Sequence, residues 1–168
     1  KWKIKKKEFL LFLKKESQTS DILNHKLFRT QTMQMYSKFD KAYLKMALEW
    51  AKLSYCKRKQ VGALIVKDRM IISDGYNGTP SGSENCCEDD TGKTHWYVLH
   101  AEANAILKLA GSTQSAQGAT LYLTLSPCKD CSKLILQAGI RRLVYINEGI
   151  SFLKNHGIEI IQVLENEL

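Results

Sequence analysis

A chain of 168 residues, 44% of them apolar, is long enough to bury one sizeable core and too short for several domains. Its longest early apolar run, Phe9 to Leu13, falls short of a secretory hydrophobic region or a membrane span. The net charge of +8 suggests a nucleic-acid partner, but residues 1–38 carry ten Lys and Arg against three Asp and Glu, and residues 39–168 carry fifteen against fourteen. The basicity therefore belongs to the leader, and the body is a poor candidate for gripping a polyanion. Five cysteines without a recognisable secretory signal point to a reducing, cytoplasmic setting, in which they serve as ligands or core residues rather than disulfides.

Residues 1–38 show no sustained period and no cap. They read as a solvated extension, or as a segment ahead of a start at Met33 or Met35, since the chain opens on Lys1; they are set aside from the fold. Asp40 is placed to cap a helix running to about Tyr55, with Tyr43, Met46, Ala47, Trp50 and Ala51 as one apolar stripe. Val61–Val66 and Met70–Ile72 flank the turn Lys67-Asp-Arg69 and form a predicted hairpin. Gly75 to Glu84 is rich in Gly, Pro, Asn and Ser and reads as a loop. A helix follows over Leu99–Ala110, then a strand over Thr120–Leu125. Ser126-Pro127 opens a helix to about Ala138 that Gly139 stops. A strand over Arg142–Ile146, a short helix over Phe152–Asn155 and a last strand over Glu159–Val163 complete the chain. A hairpin followed by alternating helices and strands makes an α/β fold, a mixed sheet covered by helices over residues 39–165.

Two stretches carry the chemistry, His100-Ala-Glu102 and Pro127-Cys-Lys-Asp-Cys131. One imidazole and two thiolates suit zinc, and three protein ligands leave a tetrahedral site one position short. A water in that position has its pKa lowered from about 15.7 to about 7. Cys128 and Cys131, three residues apart on a first helical turn, present both sulfurs to one side. The exposed N–H groups there favour thiolates. Glu102 lies about 200° around its helix from His100, so it is poorly placed as a fourth ligand but can approach the water. A redox Cys-x-x-Cys pair, or a structural zinc completed by Cys56, Cys86, Cys87 or His95, are the plainer readings. Neither explains His100 and Glu102 together at the mouth of a helix.

The order His-x-Glu then Pro-Cys-x-x-Cys resembles the signature of zinc nucleobase deaminases. From about Asp40 to Val163 the phrases Gln60-Val-Gly-Ala, Gly75-Tyr-Asn-Gly-Thr-Pro80, Leu99-His-Ala-Glu-Ala-Asn-Ala105 and Leu121-Tyr-Leu-Thr-Leu-Ser-Pro-Cys128 resemble the deoxycytidylate (dCMP) deaminase family. The resemblance implies a cytidine-deaminase-like three-layer sandwich around a five-stranded sheet. It implies Zn2+ on His100, Cys128 and Cys131, with Glu102 carrying protons as dCMP becomes dUMP and ammonia. It further implies that the Ala101 N–H holds the base carbonyl and the Ser126 carbonyl accepts from the amino group. Asn77 would reach the sugar, and Ser54 and Arg58 would lie on the phosphate side. Asn77 also reads as a turn residue, and Lys57-Arg-Lys59 as solvated surface. Cys86-Cys87 resembles vicinal cysteines of some relatives, as a second zinc site or as buried thiols. The family extends to dCTP and dTTP as effectors and to homo-oligomers, which this sequence does not fix. Where relatives carry a longer, basic, tyrosine-bearing loop, Asn147–Ser151 is short, which implies one phosphate contact fewer.

Two rivals differ at named residues. A tRNA adenosine deaminase-like editing enzyme typically carries Glu where this chain has Ser126, and lacks the Gly-Tyr-Asn-Gly-Thr-Pro phrase. A non-catalytic zinc- or nucleic-acid-binding module has no use for Glu102. Because the charge excess sits in the leader, a protein lacking residues 1–34 is expected to deaminate dCMP as the full chain does. Steady-state ammonia release checks this, and a folded, zinc-loaded but inactive truncation contradicts it.

Overall fold

The computed structural model describes residues 36–147, Leu153 and 156–168 of the chain. Within Lys38–Leu168 the elements are α1 (Lys38–Ala51), β1 (Gly62–Lys67), β2 (Met70–Tyr76), α2 (Ala101–Lys108), β3 (Thr120–Leu125), α3 (Lys129–Gln137), β4 (Arg142–Asn147) and β5 (Glu159–Gln162). The sheet order is β2-β1-β3-β4-β5. β1 runs antiparallel to both β2 and β3, whereas β3, β4 and β5 are parallel. This is the expected mixed five-stranded sheet. The β1–β2 hairpin turns through Asp68 and Arg69, both at positive φ, which matches the right-handed twist of the strands it joins. No helix among the described residues is long and apolar enough to cross a membrane.

Alternation along the strands sorts side chains into two layers. Ala63, Ile65, Leu121, Leu123 and Leu143 face a core shared with Ala101 and Ala105 of α2 and Ile135 of α3. Leu64, Tyr122 and Val144 are buried on the other face, where the Tyr122 ring packs on Tyr43 of α1. Gly62 points at α1: a Cβ there would lie 2.0 Å from the Ala47 carbonyl oxygen.

Three sequence expectations are corrected here. Helix α1 begins at Lys38, so Asp40 is not its cap. Asp40 is instead buried, accepting from Arg142 Nη1 and Nη2 at 2.6 and 3.1 Å and from Tyr122 Oη at 2.7 Å. This bidentate pair fastens α1 to β4, a long-range partnership that periodicity does not reveal. α1 also ends at Ala51 rather than Tyr55. The chain turns away there, and Ser54 donates its hydroxyl to the Asn77 carbonyl at 2.7 Å. Strand β2 continues to Tyr76, through residues whose composition reads as loop, because Ser73, Asp74 and Gly75 pair with Ile65, Leu64 and Ala63. Of the expected helix Phe152–Asn155 only Leu153 lies among the described residues, and it is buried.

Helix α2 is drawn tightly onto β2. Ser73 Oγ donates to the Ala105 carbonyl at 2.6 Å, Asn104 Nδ2 donates to the Tyr76 carbonyl at 2.7 Å, and Lys108 pairs with Asp74 at 2.6 Å. At Gly75 the two backbones approach so closely that a Cβ would lie 2.3 Å from the Ala101 oxygen and 2.6 Å from the Ala105 nitrogen. A Gly75→Ala substitution must therefore push the first turn of α2 off the sheet, at a cost of about 1–3 kcal/mol. The expected result is a lower melting temperature together with less than one zinc per chain, read by thermal denaturation and elemental analysis. A variant with wild-type values for both would show that α2 is placed by something else.

Candidate active site

His100 and Cys128 are the N-cap residues of α2 and α3, both in extended backbone. The packing of α2 on β2 and the emergence of α3 from the carboxyl end of β3 bring these two helix starts together. This is the position where open α/β sheets hold their ligands. His100 Nδ1 lies 3.5 Å from Cys128 Sγ and 3.4 Å from Cys131 Sγ, and the three donor atoms lie within 4.8 Å of one another. With Zn–N near 2.0 Å and Zn–S near 2.3 Å, tetrahedral ligands would stand about 3.5 Å apart. The donor set therefore fits zinc in both type and spacing. It is also the one such group among the described residues.

The electrostatics point the same way. Glu102 is 4% exposed on the first turn of α2. Burial pushes its carboxyl above the usual carboxylate range, opposed by its backbone hydrogen bond, by His100 and by Cys131. Burial also pushes the Cys131 thiol up, with Glu102 and Cys128 adding to it. At the start of α3 the Cys131 N–H donates to Cys128 Sγ at 3.4 Å. The buried Cys131 sulfur and Glu102 carboxylate, with the half-buried Cys128 sulfur beside them, form an environment in which a bound cation deprotonates its thiol ligands.

A cavity of about 210 Å³ opens beside these groups. Of the residues singled out in the sequence, Arg58, Asn77, His100, Ala101, Glu102, Ser126 and Cys128 line it. Ser54 does not line it: its hydroxyl is buried, donating to the Asn77 carbonyl and accepting from the Cys56 N–H at 3.2 Å. Asn77 braces the cavity's edge, its Oδ1 accepting from the Val61 N–H and its Nδ2 donating to the Lys59 carbonyl, both at 2.8 Å. Each of these side-chain atoms can make a further bond. Lys59, Glu88 and Thr94 also line the cavity and were not among the expected residues. No motif marks the last two, which come to the wall from a loop. Residues 148–151 of the shortened loop lie outside the described residues.

The cysteines depart from expectation. Cys56 and Cys87 form a disulfide, and with Val98 they make a small buried cluster. Their distance in sequence, 31 residues, hid the pairing. Cys87 is thereby spent and Cys86 is exposed, so the vicinal pair is neither a second zinc site nor two buried thiols.

The comparisons with known proteins agree with this geometry. The zinc-binding region of cytidine and deoxycytidylate deaminases matches residues 37–147. The deoxycytidylate deaminase of Mycobacterium phage D29 is 39% identical over 125 residues, spanning 66% of this chain and 96% of that protein. That of Enterobacteria phage T4 is 36% identical over 163 residues, spanning 68% of this chain and 84% of that protein. The crystal structure of a dCMP deaminase from the cyanophage S-TIM5, in complex with dCMP and dUMP, superposes with a TM-score of 0.74 at 44% identity over 77% of this chain and all of that one. With two helix starts delivering an imidazole, two sulfurs and a buried carboxylate to one cavity, this chain belongs to the cytidine and deoxycytidylate deaminase family.

Proposed function

We propose that this chain hydrolyses dCMP to dUMP and ammonia, and that residues 39–165 carry the reaction. The observation that carries the reading is the convergence of His100, Cys128 and Cys131 with a buried Glu102 in one cavity, whose wall includes Arg58 and Lys59. A structural zinc site needs no such carboxylate. Two basic residues on the wall favour a nucleotide over a nucleoside. Ser126 in place of glutamate, and a body of nearly balanced charge, speak against an RNA-editing enzyme.

Zinc bound by His100, Cys128 and Cys131 would activate a water as the nucleophile. The remaining work falls to the protein's own groups. Glu102 accepts a proton from the attacking water and passes it to the ring N3, then moves a second proton to the amino nitrogen that leaves as ammonia. Its burial suits the first half of this exchange, since a carboxyl held above its usual range takes up a proton more readily than a solvated one. The Ala101 N–H holds the base carbonyl, and the Ser126 carbonyl accepts from the amino group. Asn77 reaches the sugar through its unused bonding capacity, and Arg58 meets the phosphate. Ser54 contributes only by anchoring the Asn77 carbonyl. Family membership also supports a cytoplasmic homo-oligomer with dCTP and dTTP as effectors.

Ammonia release from a panel of dCMP, CMP, deoxycytidine, dCTP and a tRNA anticodon stem tests the substrate. Turnover of dCMP should exceed all the others, and preferential turnover of the RNA would overturn the reading. In the same assay Glu102→Gln should keep close to one zinc per chain and lose at least about a hundredfold in kcat, the usual scale of general acid–base catalysis. Near-normal turnover by this variant would remove Glu102 from the mechanism.

A further inference from the structure

Glu88 belongs to no motif, yet it stands on the cavity wall beside Arg58. Its two carboxylate oxygens each accept from the Lys57 N–H at 3.1 Å, and Oε1 also accepts from the Arg58 N–H at 3.2 Å. Thr94, which pairs with Glu88 across an isolated antiparallel bridge, accepts from Arg58 Nη1 at 3.0 Å. One small loop thus holds Arg58 at both ends, by its backbone and by its guanidinium. The next residues are held from the opposite side, where Asn77 grips the Lys59 carbonyl and the Val61 N–H. The disulfide Cys56–Cys87 joins the same two segments immediately before Lys57 and Glu88.

Charge alone gives no account of a carboxylate in this place. Beside a site for an anionic substrate, Glu88 repels the substrate and so weakens its binding. Geometry has the opposite effect. A free arginine loses side-chain freedom when it closes on a phosphate, and a guanidinium already held in place loses less. Hydrogen bonds from backbone N–H groups to an ionised carboxylate are strong enough to fix that loop.

We infer that Glu88 is a positioning residue for phosphate recognition: it fixes the Lys57–Arg58 backbone so that Arg58 and Lys59 are presented to the substrate phosphate. The inference rests on the reading of Arg58 as a phosphate contact, and the two predict separable outcomes. A Glu88 that acted only by charge would, once removed, leave dCMP binding more tightly; a Glu88 that positions Arg58 leaves it binding more weakly.

The experiment compares kcat/KM for dCMP with that for deoxycytidine in R58A, E88A, E88Q and the double variant R58A/E88A, each checked for zinc content and melting temperature. Deoxycytidine has no phosphate and serves as the internal reference. In R58A the dCMP-over-deoxycytidine ratio should fall at least about tenfold, as for loss of a hydrogen bond to a charged group. In E88A it should fall roughly fivefold or more, through KM rather than kcat, with E88Q intermediate because it keeps one accepting oxygen. The double variant should be no worse than R58A, since both substitutions remove one unit. If E88A does not fold, E88Q decides by the direction of its shift. A ratio unchanged or raised in the Glu88 variants while R58A lowers it overturns the inference and leaves the Arg58 reading standing. Additive losses in the double variant overturn it as well, since Glu88 would then act independently of Arg58. A ratio unchanged in R58A removes both.

Discussion

The close approach of helix α2 to strand β2 is the constraint on which the rest depends. Gly75 lets the Ala101 carbonyl sit where a side chain would otherwise stand, and Ser73, Asp74 and Asn104 tie the two elements along their length. That contact sets the height of the α2 start above the sheet, and with it the positions of His100 and Glu102. The second half of the site comes from a different part of the sheet, where β3 ends and α3 begins at Cys128. Neither helix start is a site by itself. The metal centre exists because the sheet holds the two at the spacing a tetrahedral ion requires.

The same packing that makes the centre also makes its chemistry. Burial raises the proton affinity of both Glu102 and Cys131, and the nearby carboxylate adds to the thiol's. Isolated, this arrangement is unfavourable, because desolvated acidic groups oppose one another. It becomes useful when a cation takes the thiols and leaves the carboxyl to exchange protons. Stability for the surrounding body comes from elsewhere, notably the buried pairing of Asp40 with Arg142 and Tyr122, which fastens α1 to β4 on the sheet's other face. The division resembles that of many enzymes, with desolvated acidic groups at the site and well-satisfied polar groups away from it.

Local signals in the sequence carried much of this. The zinc donors were legible because the two ligand stretches are short and each opens a helix, with Cys128 and Cys131 on one first turn and His100 at the start of the other helix. The sheet was legible because Val61–Val66 and Thr120–Leu125 are apolar runs of strand length. What escaped notice was long-range. Asp40 reads as a cap until Arg142, 102 residues away, is seen to claim it. Gly75 reads as a loop residue, since its place in a strand rests on its pairing with Ala63 and on the helix packed against it. Glu88 and Thr94 carry no motif at all, and the partner of Cys56 lies across a 31-residue gap. Side chains that act on backbone elsewhere leave no periodic trace in the sequence around them.

Two helix starts build a metal centre with three protein ligands and one position left over. X-ray absorption at the zinc edge of the purified protein measures this directly. The expected result is one zinc per chain, surrounded by two sulfurs at about 2.3 Å, one imidazole nitrogen near 2.0 Å and one further light-atom ligand that exchanges with solvent. A zinc held by four protein donors, or a folded protein that binds none, would contradict it.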